Sequence, residues 1–146
     1  MIQDKIAQDL VTAMKTKDAV ALTGLRGLKT TIANDRIEKG RDLTEDEVIT
    51  LVQKEIKKRR EVAEIYKNQS RTDLLEIEEA EIKLFEKYLP EQLSPEEVRP
   101  ILEAIIKEVG ATSVRDMGKV MGLATKQLGG KTDSKTIGEL VKAILA

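Results

Sequence analysis

Apolar residues recur along this chain at the three- and four-residue spacing of amphipathic helices. No segment shows the strict alternation of apolar and polar residues that is typical of a strand. The first segment shows the pattern most simply, because Ile2, Ile6, Leu10 and Met14 follow one another at steps of four. Six later segments have the same periodicity, and the sequence therefore predicts an all-α protein with seven helices.

The strongest candidate for a domain boundary lies between the fourth and the fifth predicted helix. Pro90 cannot continue a helix, and Ser94 is the expected N-cap of the next one, with Pro95 at its first position. We therefore predict a four-helix N-terminal domain over residues 1–93 and a three-helix C-terminal domain over residues 94–146.

Glycines and capping residues predict the ends and the close contacts of the second and third helices. Gly24 and Gly27 lie inside the second helix, where each costs about 1 kcal/mol relative to alanine, so we expect a kink or a close helix crossing there. Gly40 follows that helix as a C-cap. Thr44 and Glu47 then form the pattern of a capping box at the start of the third helix.

Composition narrows the chemistry that the chain can perform. Of its 146 residues, 35% are charged and 2% are aromatic, and neither cysteine nor histidine occurs. This excludes disulfides, thiol nucleophiles, histidine bases and Cys/His zinc sites. The N-terminal stretch lacks the apolar region of a signal peptide, and no apolar run approaches 18 residues. We therefore expect a cytoplasmic protein with no membrane contact and no cofactor.

Two pairs of charged residues on apolar helix faces are candidates for catalytic or metal-binding groups. Glu78 and Glu81 fall within the apolar arc of the fourth helix, and Glu55 and Arg59 fall within that of the third. Paired carboxylates can bind a metal or act as acid and base. Buried charges are normally paired, however, and Glu55 and Arg59 already have the i,i+4 spacing of an ion pair. We therefore expect structural ion pairs among these four residues, with no catalytic residue and no metal.

The third helix also carries a basic patch that points away from its apolar face. Its members are Lys54, Lys57, Lys58 and Arg60. RNA contact is one interpretation of this patch. A solvated surface is favoured, because Glu61 and Glu64 have the i+4 spacing to pair with Lys57 and Arg60.

The sixth helix has a more informative polar side. Arg115, Lys119, Gly122 and Lys126 stack along the side opposite its apolar positions, and Gly118 lies beside them. Lysines on an exposed helix face are ordinary, but glycines weaken a helix. Two interpretations stay open, because a glycine dent admits either the backbone of a packed helix or a phosphate chain.

The net charge of this part of the chain favours a polyanion. Residues 110–146 hold six basic and three acidic side chains, whereas the whole chain has a net charge of −1. Lys131 and Lys135 flank the next turn and could extend the basic side of the sixth helix. Any attraction for nucleic acid would therefore be local to this segment.

Five segments, in order and at matching spacing, resemble the YqeY family. They cover residues 43–47, 54–59, 71–74, 88–94 and 116–122. The most specific are the Tyr-Leu-Pro-Glu-Gln-Leu motif at 88–93 and the Asp-Met-Gly-Lys-Val-Met-Gly motif at 116–122. The resemblance extends over essentially the whole chain and implies an all-α fold with a four-helix part and a three-helix tail.

The last third of the family is similar to the tail domain of the B subunit of the tRNA-dependent amidotransferase. That enzyme is a carbon–nitrogen ligase with glutamine as amido-N-donor, and its helical tail contacts tRNA. The resemblance implies tRNA or a tRNA-handling enzyme as partner, with Gly118, Lys119, Met121 and Gly122 as signature positions. No segment matches the catalytic parts. We therefore expect a noncatalytic tRNA-binding or accessory module that does not bind DNA, the alternative being a protein-interaction module that takes a partner helix.

Overall fold

The computed structural model describes all 146 residues, and every extended element of secondary structure in it is a helix. The four helices of the first part are α1 (Ile2–Thr16), α2 (Ala19–Lys39), α3 (Glu45–Asn68) and α4 (Thr72–Glu86). The three of the second part are α5 (Pro95–Val109), α6 (Met117–Leu128) and α7 (Ser134–Leu145). The predicted all-α class is confirmed. No helix combines the length and the apolar character that crossing a bilayer requires.

The chain divides into two compact units, Met1–Leu89 and Pro90–Ala146. This division lies four residues before the boundary expected from the sequence. Leu93 shows why, because its N–H donates to the carbonyl of Lys131 at 2.9 Å and its side chain packs against the core of the second unit. Independent folding of the two parts stays a prediction.

The first unit is built around an apolar core to which all four of its helices contribute. Its five most deeply buried side chains are at most 1% exposed, and burying each one contributes about 1.5–3 kcal/mol. They are Leu25, Leu28, Val48, Val52 and Phe85. Their spacing is that of a single face on each helix, which is why local periodicity predicts them.

The prediction that Met14 belongs to the apolar face of α1 is wrong. Met14 is 49% exposed, whereas Ile6 and Ala13 are buried. The reason is geometric, because each step of four residues in an α-helix rotates the position by about 40°. Three such steps carry Met14 well away from Ile2, while the seven-residue step from Ile6 to Ala13 returns to the same side.

A close crossing of α2 and α4 occurs at one of the two glycines in α2. A Cβ atom on Gly24 would lie 3.4 Å from Leu84 Cδ2 and 3.5 Å from Phe85 Cε1. Gly27 is exposed, and a Cβ there would have no neighbour within 4 Å. The crossing expected from the sequence therefore lies at Gly24 alone.

The predicted helix ends are confirmed where the capping bonds are local. The Glu47 N–H donates to Thr44 Oγ1 at 3.2 Å, and the Thr44 N–H donates to Glu47 Oε1 at 2.9 Å, which completes the capping box of α3. Gly40 ends α2 at a φ of 68°, which favours glycine. Ser94 caps α5, with Pro95 at its first position.

The second unit has a core of its own, to which all three of its helices contribute. Five of its side chains have no exposed surface, and they are Val98, Leu102, Val120, Ala124 and Val141. Because Val120 and Ala124 fix the inward side of α6, the opposite side of that helix is left at the surface. This places the basic positions of α6 in solvent.

Candidate nucleic-acid interface

A local carboxylate fixes the segment that precedes the helix with the basic positions. Asp116 Oδ2 accepts the backbone N–H groups of Thr112 at 3.0 Å and Ser113 at 3.4 Å. These bonds, the one from Thr112 foremost, lower the pKa of Asp116. A 3₁₀ turn, Val114–Asp116, precedes α6. Arg115 therefore lies in this turn, two residues before α6 begins at Met117, and not in the helix as the sequence predicted.

All the residues in and just before α6 at which the sequence predicts RNA contact are exposed. The group, which we call the basic stripe, consists of Arg115, Gly118, Lys119, Gly122 and Lys126. The cations of the stripe form no ion pair with a carboxylate, so their charge is available to another molecule.

The two glycines of the basic stripe are not explained by packing within the chain. Beyond its chain neighbours and the backbone of α6 itself, a Cβ atom on Gly118 or on Gly122 would find no atom within 4 Å. This differs from Gly24, where the neighbouring helix fills the space. Each of the two costs α6 about 1 kcal/mol relative to alanine, and nothing in the chain recovers that cost. The hollow that they leave is open to a second molecule.

Exposed cations continue beyond the end of α6. Lys131 lies in the turn that joins α6 to α7, and Lys135 lies in the first turn of α7. Both are exposed. The structure thus places on the surface of one unit all seven residues that the sequence assigned to RNA binding.

The secondary basic patch on α3 is partly neutralised. Arg60 Nη2 lies 3.0 Å from Glu86 Oε1 of α4, and not beside Glu64 as the i+4 spacing predicted. Lys58 Nζ lies 3.5 Å from Glu55 Oε1. Lys54 and Lys57 are exposed. With two of its four cations paired, this patch is a weaker candidate for phosphate contact than the basic stripe.

Arg59 joins the carboxylates of α3 and α4 in one cluster. Its Nη1 lies 2.7 Å from Glu55 Oε2, and its Nε lies 2.7 Å from Glu81 Oε2. Its guanidinium carbon also lies 4.5 Å from the centroid of the Phe85 ring, which is the geometry of a cation–π contact. Burial raises the pKa of Glu55, but the hydrogen bond from Arg59 and the charge of Lys58 outweigh it and hold that pKa below its ordinary value.

Glu78 is the member of the predicted ion-pair group that the structure leaves without an ion pair. Burial, and then the nearby charge of Glu81, raise its pKa, and the attraction of Arg59 offsets only part of this. Because Glu81 is bonded to Arg59, the two carboxylates do not act as an equivalent pair. The cluster holds α3 against α4.

The helical periodicity does not predict two side-chain hydrogen bonds of the Tyr-Leu-Pro-Glu-Gln-Leu motif. The Tyr88 hydroxyl donates to Asp9 Oδ2 at 2.5 Å, within the first unit. Gln92 Nε2 donates to the carbonyl of Gly130 at 2.6 Å, within the second. Both bonds join residues that are far apart in sequence, and only the specificity of the motif itself could have indicated that these positions matter.

The fold and the surface together define an all-α protein with a basic, glycine-dented helix exposed on its second unit. The family described as Yqey-like protein matches residues 3–145, and the chain belongs to this YqeY family. The resemblance drawn from the sequence motifs is thereby confirmed.

The chain is also similar to fungal proteins named "Altered inheritance of mitochondria protein 41, mitochondrial". It is 36% identical to the Kluyveromyces lactis protein over 138 residues, which are 92% of this chain and 71% of that protein. It is 33% identical to the Clavispora lusitaniae protein over 123 residues, or 82% and 69% of the two chains. It is 38% identical to the Lachancea thermotolerans protein over 85 residues, which cover 58% of this chain and 46% of that protein.

Proposed function

We propose that this protein is a noncatalytic tRNA-binding module, or an accessory module of a tRNA-handling enzyme, that acts in the cytoplasm. One observation carries the proposal, namely the exposed, unpaired cations of the basic stripe beside two glycines that meet no atom of the chain. The resemblance of the last third of the family to the tail domain of the tRNA-dependent amidotransferase supports the choice of tRNA over other polyanions.

The basic stripe suits a ribose–phosphate backbone. Its helical part from Lys119 to Lys126 extends about 10 Å, at about 1.5 Å per residue, and Arg115 precedes it. Lys119 lies between the two glycines, so a phosphate chain that enters the hollow comes close to its ammonium group. The chain is poor in aromatic side chains, on which unpaired bases stack. Recognition would therefore depend on shape and phosphates and would be indifferent to base sequence.

A second interpretation uses the same hollow for protein. Gly118 and Gly122 are four residues apart, which places them on one side of α6, where a partner helix could approach closely. Phosphate contacts and helix packing differ in their response to salt. Each phosphate contact contributes about −0.7 to −0.9 to the slope of log K against log salt, whereas an apolar groove contributes little.

Binding of folded tRNA to the full chain, measured by fluorescence anisotropy over a salt series, tests the proposal. We expect affinity in the micromolar range or weaker, with a slope of about −2 to −3 for three contacts. Replacing Lys119 and Lys126 with glutamate should abolish binding. Because both side chains are exposed, the melting temperature should be unchanged.

The matched control makes the same change of charge elsewhere on the second unit. Lys107 and Lys142 are exposed and lie outside the basic stripe, and replacing both with glutamate should leave most of the binding. No binding of the unmodified chain in low salt would refute the tRNA proposal. Equal losses in both double variants would mean that net charge alone attracts the RNA.

A further inference from the structure

The segment before α5 is hydrogen-bonded to the turn between α6 and α7. Gln92 Nε2 donates to the carbonyl of Gly130 at 2.6 Å and to that of Pro90 at 2.9 Å. The next residue adds a third bond, because the Leu93 N–H donates to the carbonyl of Lys131 at 2.9 Å. A side-chain amide nitrogen has two N–H donors, so Gln92 can bind both carbonyls at once.

The turn that receives these bonds also has contacts of its own, since Gly129 and Thr132 form an isolated bridge across it and Thr132 is buried. The Lys131 N–H donates to the carbonyl of Leu128 at 2.9 Å, which closes a tight turn after α6. Gly130 has a φ of 82°, a conformation that side chains rarely adopt, and glycine is also the residue with the most freedom to leave it. Because two successive glycines, Gly129 and Gly130, have much conformational freedom, the bonds from the segment before α5 add to the order of this turn.

The turn also carries one of the exposed cations, Lys131. Lys131 follows the end of the basic stripe and precedes Lys135 on α7. Its backbone carbonyl and that of Gly130 are the two groups bound by the segment before α5. The backbone that carries its side chain is therefore held in part by bonds from residues about 40 positions earlier in the chain.

We propose that Gln92 is a positioning residue that holds Lys131 in line with the basic stripe, so that Lys131 supplies a further phosphate contact; this rests on the proposed tRNA binding. In this proposal the second half of the Tyr-Leu-Pro-Glu-Gln-Leu motif functions through Gln92. An amide is the suitable side chain, because a carboxylate of the same length would face two carbonyl oxygens without a proton to donate.

A double-mutant cycle on the full chain tests this, with folded tRNA as the probe. Lys131→Ala should weaken binding about three- to tenfold in low salt and reduce the slope of log K against log salt by about 0.7–0.9. Gln92→Ala should change both in the same direction but by less, because the bond from the Leu93 N–H to the Lys131 carbonyl remains. The two changes together should be no worse than Lys131→Ala alone, since Gln92 acts through Lys131.

Gln92 is itself exposed, so its replacement removes no core packing. Gln92→Glu keeps the length of the side chain and should weaken binding at least as much as Gln92→Ala. Amide hydrogen exchange of residues 129–132 should become faster in both variants, at nearly unchanged melting temperature. Gln127→Ala, which removes an exposed glutamine from α6, is the control and should leave the affinity and the slope unchanged.

The outcomes separate the two proposals. If the unmodified chain does not bind tRNA, the proposed function fails. If it binds and Lys131→Ala has no effect, Lys131 is not a contact and the inference about Gln92 is overturned. The inference is also overturned if Gln92→Ala leaves the salt slope intact, or if it weakens binding further in the Lys131→Ala background.

Discussion

Arg59 Nε lies 2.7 Å from Glu81 Oε2, and this contact joins α3 to α4 across 22 positions of sequence. The same guanidinium holds Glu55 and covers the Phe85 ring. The side chain of Arg59 is 18% exposed and that of Glu81 is 11% exposed. The cluster is therefore largely withdrawn from water, and the removal of one member leaves a charge without its partner.

Arg59→Ala should destabilise the protein toward the lower end of the about 3–5 kcal/mol that is typical of broken buried pairs, because the guanidinium keeps some exposure. Lys58→Ala is the control, since Lys58 is 70% exposed and its contact with Glu55 is longer. It should change the free energy of unfolding by less than about 1 kcal/mol. Urea unfolding at neutral pH measures both, and equal small effects would show that the Arg59 cluster does not stabilise the fold.

The two glycines of α2 should respond in opposite ways to the same substitution. Gly24→Leu places a large side chain against Leu84 and Phe85 and should cost about 1–3 kcal/mol through overpacking. Gly27→Leu enters open solvent and should gain up to about 1 kcal/mol from helix propensity. Thermal unfolding of the two variants distinguishes them. A loss of stability in both would mean that the α2–α4 crossing also involves Gly27.

Helix positions and caps could be predicted from the sequence because the interactions behind them are local. Thr44 and Glu47 bond across three residues, and the buried faces follow from helical spacing alone. The predicted beginning of α6 is less accurate, because the capping pattern of Ser113 and Asp116 does not reveal that a 3₁₀ turn comes first. The prediction for Met14 is wrong because residues four apart in α1 lie about 40° from one another around the helix.

Contacts between helices could not be predicted in the same way. Arg60 has an acid at i+4 in Glu64 and bonds to Glu86 instead, because the packing of α4 against α3 brings that carboxylate within reach. Spacing likewise could not say which of Gly24 and Gly27 lies at the crossing. The basic stripe was recognised from amphipathicity, whereas the openness of its glycines depends on the absence of a neighbouring helix.

Glu78 should make stability depend on pH. Burial and the charge of Glu81 raise its pKa above the ordinary value of 4.5, so the folded state binds its proton more tightly than the unfolded state does. The resulting stabilisation is fully present below the unfolded pKa and is lost as pH rises through the folded pKa. Glu78→Gln should therefore raise the melting temperature near neutral pH, and this gain should shrink as the pH falls toward 4.5.

Glu79→Gln is the matched control for this effect, because Glu79 is adjacent in sequence and exposed. Its melting temperature should follow that of the unmodified protein at every pH. Calorimetry from acid to neutral pH provides the comparison. A constant difference between Glu78→Gln and the unmodified chain would refute the raised pKa as its cause.

Fragments of the second unit should differ in stability according to where they begin. A fragment of residues 90–146 retains the bonds of Gln92 and Leu93 to the α6–α7 turn, and one of residues 94–146 loses them. Each hydrogen bond contributes about 0.5–1.5 kcal/mol, and so small a domain is marginally stable. We expect circular dichroism to show both as helical in the cold, with the lower melting temperature for 94–146. A coil spectrum for both would mean that the second unit does not fold alone.

The hollow at Gly122 allows a steric test that leaves the charge of the basic stripe unchanged. Gly122→Leu fills the open space that the structure shows there and should block the approach of a phosphate backbone, so tRNA affinity should fall at least tenfold. The same change should raise the melting temperature, since leucine favours a helix by up to about 1 kcal/mol over glycine. Loss of binding with gain of stability cannot be attributed to unfolding. Gln127→Leu, on an exposed position away from the stripe, should leave the affinity intact. If Gly122→Leu binds tRNA as well as the unmodified chain does, the glycines are not part of the RNA site.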